Sequence, residues 1–88
     1  MACQFDGRKD LFENFVLTDL SNLNGKSVKL TDDLRTGLGY DNPSIRAIGQ
    51  SLLQLSSEHD CTVTFPGPDD YDTCNTVGDL ADLLYGHL

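Results

Sequence analysis

The sequence predicts an all-α fold, a four-helix bundle with a long first loop and a short third helix. Apolar residues recur at helical spacing in three separate stretches, residues 12–23, 45–55 and 77–84. Each such stripe marks a helix with one buried face. Helix-start and helix-stop residues bound these stretches, whereas alternation of strand type is confined to the short runs at residues 26–30 and 62–65.

Residues 1–8 carry Gly7 and no periodicity, and are expected to form a flexible lead. The rest, residues 9–88, reads as a single domain. A first helix is expected over residues 9–23, with Phe12, Phe15, Val16, Leu20 and Leu23 on its apolar side. Asn22, Asn24 and Gly25 end it, since these residues tolerate the left-handed backbone of a helix stop. Residues 25–41 form the long connection, with Val28, Leu30, Leu34 and Leu38 as apolar anchors and a turn at Thr31-Asp32-Asp33-Leu34 capped by Thr31. A second helix is expected over residues 43–57. Asp41 or Asn42 caps it, Pro43 sits in its first turn, and Ile45, Ile48, Leu52 and Leu55 form its stripe. Gly49 near its middle costs ~1 kcal/mol against alanine, which fits either a close approach by a neighbouring helix or a ligand chain, or a tolerated glycine on an undemanding surface. After an extended run, Pro66-Gly67-Pro68 forces a turn, and residues 69–72 form the short third helix. Thr76 opens the last helix, residues 77–85, which buries Val77, Leu80, Ala81 and Leu84.

A formal net charge of −8 disfavours nucleic acid and anionic membranes, because binding either relies on Lys and Arg. All 6 basic residues lie at or before Arg46, leaving the second half purely acidic. Basic protein partners fit such a surface, and so does simple solubility. No apolar run has the length of a membrane span. Cys3, Cys61 and Cys74 are odd in number and form no C-x-x-C pair, and the N-terminus has no secretory apolar region. The expectation is free thiols in a reducing cytoplasm.

Leu34, three residues on, Leu38-Gly39, Tyr40 and Asp41 reproduce the pattern and spacing of a characteristic loop. Thr76-Val77-Gly78-Asp79-Leu80-Ala81 similarly opens the last helix. In this order the chain resembles the acyl carrier and peptidyl carrier protein family over about residues 10–86. The resemblance implies an acyl-carrier-like bundle that is not an enzyme. It implies a 4′-phosphopantetheine arm on a serine at the start of the second helix, with an acyl, aminoacyl or polyketide intermediate held on the arm as a thioester. That serine is Ser44, although Asn42 and Pro43 separate it from Asp41 where the family has no intervening residue. Asp41, Ile45, Arg46 and Ile48 around it become the expected partner-binding residues. The partners implied are a phosphopantetheinyl transferase and specialised acyl-transfer or synthase enzymes, with the carrier a cytoplasmic monomer. The rival expectation is a carrier-like acidic interaction domain that bears no arm.

Other chemistry has little footing. His59-Asp60-Cys61 lies in an extended run, where adjacent side chains face opposite sides. Asp69-Asp70-Tyr71-Asp72 lacks the spacing, glycine and closing glutamate of a calcium loop. No catalytic set and no metal site is expected.

Overall fold

Residues 3–88 are described by a computed structural model, and their helices are α1 (Lys9–Asn24), α2 (Asn42–Ser57), α3 (Pro68–Asp72) and α4 (Val77–Tyr85). The chain is all-α, with the long first loop and the short third helix. Local chemistry sets the helix ends. Gly25 stops α1 at φ +66° and donates its N–H to the Ser21 carbonyl. The Asp41 carboxylate accepts the Ser44 N–H at 3.0 Å and so caps α2. Thr76 and Asp79 cap α4 reciprocally: Thr76 Oγ1 accepts the Asp79 N–H at 3.1 Å, and Asp79 Oδ2 accepts the Thr76 N–H at 3.1 Å. The Thr76 and Asn75 N–H groups together hold the Asp79 carboxyl below its ordinary range.

α1 packs on α4, α2 packs on α3 and α4, and α3 packs on α4. The core collects Phe12, Val16 and Leu20 of α1, Ile45, Leu52 and Leu53 of α2, Tyr71 of α3, and Val77, Leu80, Ala81 and Leu84 of α4. Each large apolar side chain buried here contributes ~1.5–3 kcal/mol. Two expected stripes shift. Leu23 is 63% exposed rather than in the core. On α2 the buried face runs through Ile45, Gly49, Leu52, Leu53 and Ser56, while Ile48 and Leu55 are only half-buried. Gly49 causes the shift. A Cβ there would lie 2.2 Å from Cε1 of Tyr71, so only glycine lets the α3 ring approach α2 this closely. The close approach expected at Gly49 is therefore that of a neighbouring helix. Ser56 is accommodated because its hydroxyl donates to the Leu52 carbonyl at 2.9 Å.

The first loop is fastened to the start of α4. Leu34 N–H donates to the Asn75 carbonyl at 2.8 Å, Val77 N–H to Asp32 at 3.0 Å and Gly78 N–H to Leu30 at 2.9 Å. Asp33 and Thr76 form an isolated antiparallel bridge rather than part of a named strand. The Asp33 carboxylate holds the turn that follows, accepting the Arg35 and Thr36 N–H groups at 2.8 Å each. The capping residue is thus Asp33 rather than Thr31.

The N-terminal residues bring one packing contact, and the cysteines one correction. Within residues 3–8 Phe5 is 6% exposed, with its ring centroid 5.3 Å from that of Phe12 and 5.2 Å from that of Phe15. This lead is therefore packed onto the domain; Met1 and Ala2 lie outside the described residues. Cys3 and Cys61 are joined by a disulfide, with Cα atoms 4.2 Å apart. Only Cys74 keeps the expected free thiol. It is buried, and burial pushes its pKa up to about 11.

Candidate functional site

The first-loop pattern that the sequence singles out becomes a rigid approach to α2. Leu34 is fully buried and anchors it. Gly39 adopts φ +76°, which a side chain would resist, and turns the chain toward α2. Tyr40 N–H donates back to the Leu34 carbonyl at 2.9 Å. Arg35 then pins the end of the loop. Its Nη2 donates to Asn42 Oδ1 at 2.7 Å and to the Asp72 carbonyl at 3.0 Å, and its Nη1 donates to the Cys74 carbonyl. One guanidinium thus ties the first loop, the start of α2 and the end of α3 together.

With Asp41 as the cap, Asn42 and Pro43 are the first two helical residues and Ser44 the third. Asn42 therefore occupies the position directly after the aspartate, and Arg35 holds its side chain. Ser44 is half-buried on the first turn. Its hydroxyl, followed by its N–H, holds the Asp41 carboxyl below the ordinary carboxylate range.

Ser44 lines an open groove of about 340 Å³ shared with Leu23, Asn24, Tyr40, Ala47 and Ile48. The groove lies between the C-terminal end of α1 and the first turns of α2, helices that approach each other less closely than the packed pairs do. Its apolar walls are Leu23, Ala47 and Ile48. Asn24 Nδ2 donates to the Tyr40 hydroxyl at 2.6 Å and to the Leu20 carbonyl at 2.7 Å, which fixes the polar corner.

Of the expected partner-facing residues, Asp41 is exposed and Ile48 is half-buried on the groove. Ile45 is fully buried, a core residue rather than a contact surface, because it points from the first turn of α2 into the bundle. Arg46 is taken up by Asp72 of α3, with Nε–Oδ1 at 3.0 Å and Nη2–Oδ2 at 2.5 Å. That bidentate pair raises the Arg46 pKa and joins α2 to α3. The loop acids are also engaged: Asp32 Oδ2 accepts the Lys29 N–H at 2.8 Å, and Asp33 and Asp41 hold turns. Sequence reasoning missed Arg35, Leu23, Asn24 and Ala47 as parts of this site, and took Tyr40 only as a member of the loop. No sequence signal pointed to Leu23, which the periodicity placed on the buried stripe of α1 and which only the fold shows to be exposed.

His59, Asp60 and Cys61 do not form a site together. The His59 ring centroid lies 5.6 Å from that of Phe5 and 5.7 Å from that of Phe15, while Cys61 is committed to Cys3. Among the described residues no cluster of three potential metal ligands occurs, and no helix is long and apolar enough to cross a membrane. Comparison with protein-family models, curated proteins and solved structures found no match.

Proposed function

We propose that the chain is a specialised acyl carrier whose Ser44 bears a 4′-phosphopantetheine arm. The observation that carries this reading is the half-exposed Ser44 on the first turn of α2, lining an open groove and approached by the Leu38-Gly39-Tyr40-Asp41 loop. The site has steric room for a phosphodiester on the hydroxyl, at the positive end of the helix dipole. The backbone offers less: the Ser44 N–H is already given to Asp41, and Pro43 has none. The arm's terminal thiol would hold an acyl, aminoacyl or polyketide intermediate as a thioester. The protein's own residues present the serine and make or break no bond of the cargo. Partners would be a transferase and acyl-transfer or synthase enzymes that read the loop and the exposed first turn of α2.

A second reading draws on Asn42. It holds the helix position directly after Asp41, with its side chain bound by Arg35. On that basis the chain is a carrier-like acidic interaction domain without an arm, using the same face to dock a partner. Intact mass after co-expression with a broad-specificity phosphopantetheinyl transferase separates the two. A gain of one arm that Ser44→Ala abolishes is expected for the carrier. A gain that survives Ser44→Ala places the arm elsewhere and overturns the Ser44 assignment. No gain, with a helical circular-dichroism spectrum, favours the interaction domain.

A further inference from the structure

We propose that the Cys3–Cys61 disulfide is a redox-operated clasp that holds residues 3–8 over an aromatic face of the bundle. The observations concern residues 3–8 and the exit of α2 and are independent of any arm. Among the described residues few contacts besides the disulfide hold the lead in place. Phe5 is its buried side chain, set against Phe12, Phe15 and His59. Gln4 N–H donates to the His59 carbonyl at 3.2 Å. The bonds from Asp6 N–H to Cys3 and from Arg8 N–H to Phe5 lie within the lead and do not attach it to the rest. Gln4, Asp6, Gly7 and Arg8 are exposed. One aromatic ring and one hydrogen bond are a weak return for ordering such a segment, so a segment held only by them opens locally. The disulfide supplies the remaining constraint, because it keeps Phe5 next to its pocket whenever the segment lifts.

The two cysteine residues differ in exposure. Cys61 is 5% exposed, whereas Cys3 is only half-buried and borders an open cleft of about 150 Å³ with Phe5, Asp6, Tyr85 and Leu88. An incoming thiolate therefore reaches the Cys3 sulfur. Its attack forms a mixed disulfide at Cys3 and releases the Cys61 thiolate. A second thiol attacks the reductant's sulfur in that mixed disulfide and releases Cys3. Two protein thiols form, and a dithiol reductant of class HS–R–SH leaves as its cyclic disulfide, carrying away the two electrons' worth of oxidation. Loss of the clasp uncovers Phe12 and Phe15 of α1, which Phe5 covers in the oxidised state, together with the ring of His59.

Arg8 and Lys9 sit at the junction of the lead and α1, which makes trypsin the direct probe. The full chain is digested before and after reduction with dithiothreitol, with Cys3→Ser and Cys74→Ser alongside, and fragments are read by mass spectrometry. Expected is cleavage after Arg8 and Lys9 accelerated at least about tenfold in the reduced chain and in Cys3→Ser, since cutting follows the population of the open segment. Cleavage after Arg46, inside α2, needs the whole domain to open and stays well below cleavage after Arg8 in the reduced chain, and Cys74→Ser behaves as the oxidised parent. Equal cleavage at Arg8 in both redox states overturns the clasp. So does cleavage at Arg46 as fast as at Arg8 in the reduced chain, which would mean that the whole domain opens and not the lead alone. Free thiols on Cys3 and Cys61 in the air-oxidised chain would also overturn it.

Discussion

At the scale of single residues, two buried groups give the molecule an alkaline limit. Burial pushes the Tyr71 hydroxyl from 10.0 to about 12, and the Cys74 thiol from 9.0 to about 11. The Tyr71 hydroxyl has no hydrogen-bond partner among the described residues, so nothing within the fold favours its phenolate. Both groups keep protons in the folded chain that the unfolded chain releases. Stability is therefore complete below about pH 9 and falls as pH rises through these raised values to about 12. Urea midpoints measured between pH 8 and ~12 should decline over this range. Tyr71→Phe should flatten the upper part of the decline, and it should cost little at neutral pH because the hydroxyl it removes is unpaired. None of this was legible in the sequence, since a tyrosine between two aspartates reads as a surface residue until α2 is seen to cover it.

At the scale of elements, the helices were legible where their signals are local. α4 runs from Val77 to Tyr85 as its Thr76 cap and its stripe foretell, and α1 and α2 agree to within a residue at each end with their caps and stops. What escaped is the rotation of α2. Gly49 and Ser56 stand on its buried face, and small or polar residues give no apolar signal. The α2–α3 contact makes Gly49 the element's most sensitive position. Gly49→Ala should lose ~2 kcal/mol by urea denaturation, because overpacking of up to ~3 kcal/mol outweighs the ~1 kcal/mol gained in helix propensity. In a Tyr71→Leu background the penalty should shrink or reverse, and a double-mutant cycle measures that coupling. The candidate site follows the same division. Ser44 and the Leu38-Gly39 loop stand out in the sequence, whereas the Arg35 clamp depends on carbonyls of Asp72 and Cys74, far along the chain.

At the scale of the whole molecule, an 88-residue chain has a limited core, and the bond between Cys3 and Cys61 spans a sequence separation of 58. Closing a loop of that length removes entropy from the unfolded chain worth ~4 kcal/mol. Reduction should therefore lower the unfolding free energy measured in urea by ~4 kcal/mol, while the helical circular-dichroism signal without denaturant stays in place. Three cysteines without a C-x-x-C pair could not foretell this pairing, because it depends on the lead folding back to the exit of α2. The fastening of the first loop to α4 has a different consequence, in the order of assembly. Leu30, Asp32 and Leu34 bond to residues 75–78, so their partners leave the ribosome more than forty residues later. Contacts of such separation are slow to close. α1 and α2 have their caps and stops close at hand, but the loop that presents Ser44 settles only when the start of α4 arrives. A nascent chain accordingly displays Ser44 on an unfinished surface until residues 75–78 are available.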